Sequence, residues 1–156
     1  MNRALGRHIG IGIGFVLAQV LIFQHLTIWG SVPDLVLLFL LWIIPKYKRT
    51  SILFFAAGLG LLQDALFDFW GMHMFSKILL CFVSYRFIGS RGESRLLLWQ
   101  IFLICFVCAA FHNLVFMGLS NFVDAYATGA FPILFLFGNS LYTAILGVLL
   151  FIYKGS

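Results

Sequence analysis

VPDLVLLFLLWIIPKYKR, Val32 to Arg49, decides how many times this chain crosses a membrane. Its strictly apolar part, Leu35 to Ile44, is about ten residues, short of the roughly 17 to 25 that a spanning helix needs. Extension from Val32 to Tyr47, with Pro33 in the first helical turn, predicts a short span. Counting it gives six spans, over residues 9–28, 32–47, 51–67, 72–88, 96–119 and 130–153. Apolar runs without period-two alternation predict helices, and backbone groups in lipid must be satisfied within the span. The expected fold class is therefore an all-α integral membrane protein, a single six-helix domain covering 1–156.

Charge placement tests that count. With the N-terminus in the cytoplasm, Arg3, Arg7, Lys46, Lys48, Arg49, Arg91, Arg95 and Lys154 all fall inside, as the positive-inside rule requires. Arg86 sits near the inner end of the fourth span and can snorkel inward. Of the ten basic residues, only Lys77 is out of place. Omitting the short span would scatter the rest over both sides. The predicted topology has both termini cytoplasmic, with Asp34, Asp68 and Asp124 on the opposite face.

Composition agrees. Hydrophobic residues make up 63% of the chain and charged residues 10%, against about half and about a quarter in soluble domains. The net charge of +5 does not indicate nucleic acid, because the basic residues lie between apolar runs and not along one face. Cys81, Cys105 and Cys108 all lie in apolar segments. The CxxC spacing of the last two lacks a second pair and a polar loop, so they read as packing residues. The basic N-terminus precedes an apolar run of about 20 residues with no small-x-small cleavage site, which predicts a retained first span.

The polar residues inside the spans are the candidates for function. Asp64 and Asp68 are four apart, on one helical face. An ionised carboxylate in hydrocarbon is costly unless it is paired or faces water. Lys77 lies at similar depth in the next span, which predicts an Asp64–Lys77 ion pair across a hairpin closed by Gly71. Such a pair either fixes helix register or lines an outward polar pocket or partner contact. No chain of acids continues across the membrane to make a proton relay.

His112, Asn113, Asn139, Ser140, Tyr142 and Thr143 lie at similar depth and are expected to hydrogen-bond to one another or to line a ligand pocket. His73 and His112 have no ligand-spaced partners, so no metal site is expected. No Ser-His or Asp-Asp constellation marks a catalytic site, and no cofactor motif is present. GRHIGIGIGF, Gly6 to Phe15, has no preceding strand and no Gly-Lys-Ser/Thr ending, so it is not a phosphate loop. It carries a stripe instead. Gly6, Gly10, Gly14 and Ala18, each four apart, let another helix approach closely, from this bundle or from a partner protein.

VPDLVLLFLLW (Val32 to Trp42) followed by GLGLLQDALFDFWGMH (Gly58 to His73) resembles MreD, the rod shape-determining membrane protein family. Pro33, Asp34, Gly58, Asp64 and Gly71 match its pattern. The specific motifs cover about Val32 to Tyr85, and the first, fifth and sixth spans match in hydropathy alone. The resemblance implies a non-enzymatic subunit of the bacterial cell-elongation machinery in the cytoplasmic membrane. Its implied partners are MreC, RodA and a class B penicillin-binding transpeptidase, with MreB reached indirectly. It also implies a fold similar to the substrate-binding subunits of energy-coupling-factor vitamin transporters. A transporter subunit of that kind is the rival expectation, in which the stripe meets the coupling partner. The short outer loops count against it.

Overall fold

A computed structural model describes residues 3–89, 97–123 and 133–155. Arg91, Arg95 and Asp124, and the outer loop expected from Ser120 to Gly129 beyond its first few residues, lie outside the described residues. Among those described, the chain is helical and forms no strand. The elements are α1 (Arg3–Ala18) with a π-helical turn (Gln19–Phe23), α2 (Leu35–Ile43) with a 3₁₀ turn (Ile44–Lys46), α3 (Arg49–Phe67), α4 (Met72–Ile88), α5 (Leu98–Phe122) and α6 (Ile133–Gly155).

Among the described residues four helical segments are long and apolar enough to cross a membrane: Arg3–Phe23, Arg49–Phe67, Leu98–Phe122 and Ile133–Tyr153. α4 has 17 residues. α2 falls well short of the expected 32–47. Pro33 is not in its first turn but just before its N-cap, Asp34, whose backbone is extended at φ −105°, ψ 95°. At the other end Pro45 sits in the 3₁₀ turn, where its missing N–H and fixed φ end the regular helix.

The shortness of α2 has a packing reason. Every residue from Leu35 to Ile43 except Trp42 is buried. A helix apolar all round belongs inside a bundle. α2 is the central element: Val36, Leu37, Leu38, Phe39 and Leu40 meet core residues of the surrounding helices, among them Val16, Leu59, Leu80 and Cys105. Surrounded by other helices, it need not match the lipid thickness with its own apolar surface. Cys81, Cys105 and Cys108 are buried free thiols in or beside this core.

α1 buries His8, Gly12, Val16 and Gln19. This face is offset by two residues from the Gly6–Gly10–Gly14 stripe. A methyl group at Gly12 would strike Phe39 and Leu59, at 2.9 and 3.0 Å, whereas one at Gly6, Gly10 or Gly14 would have no neighbour within 4 Å. The stripe is turned away from this chain's own helices, and Gly10 and Gly14 are exposed. α3 and α4 form a tight hairpin. A Cβ on Gly60 would lie 2.5 Å from Cα of Met74, so glycine there permits backbone-to-backbone approach.

The two ends of the bundle differ. One holds Lys46, Tyr47 and Arg49: His8 Nδ1 lies 2.6 Å from Tyr47 Oη, the Lys46 ammonium sits 3.5 Å over the Trp42 ring and the Arg49 guanidinium 3.9 Å over Phe82. The opposite end holds Asp34, Asp64 and Lys77.

Candidate functional site: a polar corner and its cavity

The site is built around a break in regular structure. Residues 32–34 run extended between α1 and α2, and backbone polar groups there need partners from outside. The partners are side chains. Asn139 Oδ1 accepts from Val32 N at 2.8 Å. Gln19 donates from Nε2 to Pro33 O and accepts at Oε1 from Leu35 N, both at 2.8 Å. Thr143 Oγ1 accepts from Asp34 N at 3.0 Å. Asn139 and Thr143, one helical turn apart on α6, thus clamp a backbone segment instead of bonding mainly to each other's side chains. The π-helical turn places Gln19, and such turns recur at functional sites.

Asp34 is the hub. Oδ1 accepts from Leu37 N at 2.9 Å, an N-cap to α2. Oδ2 accepts from Lys77 Nζ at 2.8 Å. Lys77 is wholly buried and the Asp34 side chain is 14% exposed. The expected Asp64–Lys77 ion pair is therefore not formed; Lys77 pairs with Asp34 of α2.

Asp64 does something else. Its Oδ1 and Oδ2 accept from His73 N and Met74 N, each at 2.9 Å. These are orphan donors in the first turn of α4. The N-cap of α4 is Gly71, in left-handed conformation at φ 76° with no side chain to cap with. A carboxylate from α3 substitutes, and its charge also suits a helix N-terminus. With that demand met, Asp64 has no need of Lys77.

Asp68 is the C-cap of α3 at φ 59°, a left-handed position that Asp tolerates better than most residues. His112 is buried. Its Nε2 lies 3.0 Å from Ser76 Oγ and 3.4 Å from Lys77 Nζ, and its Nδ1 lies 3.7 Å from Asp34 Oδ2. Asn113 donates to Ser140 Oγ at 3.3 Å. Tyr142 Oη reaches Leu26 O at 3.4 Å. Gly58 borders a groove with Leu5, Ile9 and Ile13 of α1.

A cavity of about 480 Å³ opens beside this network. Asp34, Gln63, His73, His112, Asn113 and Asn139 line it together with Phe67, Phe69, Phe116 and Phe135. Sequence reasoning missed Gln19 and Gln63. Each is a lone amide in an apolar helix, and that rarity was the available signal. Among the described residues no group of three or more His, Cys, Asp or Glu side chains is placed to hold a metal ion.

Comparison with known proteins returns no matching family model, no matching curated protein and no matching solved structure.

Proposed function

We propose that this chain is a non-enzymatic scaffold subunit of the bacterial cell-elongation, peptidoglycan-synthesising complex. It crosses the inner membrane six times with both termini in the cytoplasm, and it acts through helix–helix contacts with MreC, RodA and a class B transpeptidase. The supporting observation is the outward stripe of α1. Among the described residues nothing lies within 4 Å of a Cβ built on Gly6, Gly10 or Gly14, while Ile9, Ile13, Leu17 and Leu21 beside them are exposed. A small-residue face without an internal partner suits a helix of another membrane protein. The motif residues Pro33, Asp34, Gly58, Asp64 and Gly71 support the MreD-like identity, and the basic end supports the orientation.

The cavity favours a second reading, a substrate-binding subunit of an energy-coupling-factor-type transporter. A gentle-detergent pull-down from native membranes, with mass spectrometry, separates the two. Recovery of MreC and the synthases, lost in Gly10→Leu/Gly14→Leu protein that still folds, supports the scaffold. Recovery of a transmembrane coupling subunit with ATPases sinks it.

A further inference from the structure

The cavity has a chemistry separate from the α1 face. Its size, about 480 Å³, falls within the roughly 300–1,000 Å³ of small-molecule sites. Several of its walls are aromatic. The His73 ring stacks on Phe116 with centroids 4.5 Å apart and planes 27° apart, and Phe69 meets Phe116 edge-on at 5.6 Å. The cavity is therefore bordered by flat rings.

One wall is polar and incomplete. Gln63 is 2% exposed, lines the cavity, and its Oε1 has no hydrogen-bond partner among the described residues. Nδ1 of His73 is likewise buried without a partner among the described residues, while Nδ1 of His112 faces Asp34 Oδ2 at 3.7 Å. Buried polar atoms are rarely left so, because each has given up water without replacement. Two such atoms on residues that line one cavity mark a wall that a bound molecule would complete.

The charge balance narrows the class. The one Asp or Glu among the described lining residues is Asp34, and Lys77 Nζ at 2.8 Å compensates it. No uncompensated charge is left for an ion, and burying an unpaired ion here is costly. Two acceptors stand at this wall: Gln63 Oε1, buried and without a partner among the described residues, and the Asp34 carboxylate, whose side chain is 14% exposed.

We infer that the cavity binds an uncharged, flat aromatic or heteroaromatic molecule, which donates hydrogen bonds to Gln63 Oε1 and to the Asp34 carboxylate. Such a ligand ties α3 to the start of α2 and leans on the rings of α5. The inference goes beyond the scaffold reading and does not depend on which protein meets α1, so failure of the pull-down leaves it standing.

The test is thermal unfolding of the full chain in lipid nanodiscs with indole, and with benzothiophene, which has the same bicyclic shape but no N–H. Benzothiophene enters lipid more readily, so unspecific partitioning favours it. The expected result is a concentration-dependent rise in Tm with indole, at an apparent affinity about tenfold tighter than for benzothiophene. Gln63→Met, which keeps the side-chain length and removes the acceptor, brings the two probes to within about twofold. Its unliganded Tm is equal to or above that of the parent, and Gln63→Leu serves as the second variant. No shift with indole, equal shifts with both probes, or discrimination that survives removal of the Gln63 amide overturns the inference.

Discussion

Asp34, the N-cap of α2, and Lys77, within α4, are 43 residues apart in sequence and joined by a 2.8 Å ion pair in which the lysine is wholly buried. The pair fixes the central helix against α4 at the end where regular structure breaks. Removing one partner strands a buried charge, whereas removing both does not. Lys77→Met alone should therefore destabilise the protein by about 3 kcal/mol. Asp34→Asn, which retains a good N-cap, should cost a similar amount. The double variant should recover most of the loss, as read by unfolding in detergent.

Asp64 should behave as a cap and not as an ion-pair partner. Asp64→Ala orphans the His73 and Met74 amides and should cost about 1–3 kcal/mol. Asp64→Asn keeps an acceptor and should cost less. A double-mutant cycle should give an Asp64–Lys77 coupling well below the Asp34–Lys77 coupling. Coupling of equal size would contradict the geometry.

Two glycines in related sequence settings should respond in opposite ways. Gly60→Ala drives a methyl into the Met74 backbone and should cost about 1–3 kcal/mol, since backbone cannot step aside. Gly14→Ala meets open space and should leave unfolding within about 0.5 kcal/mol of the parent, as at surface positions generally.

Trp29 should be replaceable to advantage for folding. It is fully exposed and has φ 54°, followed by Gly30 at φ 77°, in a two-residue turn closed by Ile28 and Ser31, whose amide hydrogen bonds are 3.1 and 2.9 Å. Asn is the favoured residue at the first position of such turns. Trp29→Asn should raise stability by about 1 kcal/mol in detergent.

Much of the architecture was legible in the sequence. Apolar runs and the alternation of basic and acidic ends located the helices, and 72–88 matched α4 to the residue, because hydropathy and helix length are local properties. The same hydropathy overestimated the length of α2. An all-apolar segment reads alike whether lipid or protein surrounds it, so stretching 35–44 to spanning length was the natural reading. Only the packing shows a short central helix. The α1 stripe was visible as a spacing, but which way it faced was not, since spacing tells which residues share a face and not how the helix is rotated against its neighbours.

Residue order alone places a few polar side chains at one depth in an apolar chain, where they must find partners. The tertiary structure alone decided which partners. Depth is set by position along a helix, so Asp64 and Lys77 appeared matched. Pairing is set by rotation about the helix axis and by competing donors, and both depend on how the helices dock. Gly71 leaves the start of α4 uncapped, the α4 amides claim Asp64, and Lys77 is left to Asp34 across the core.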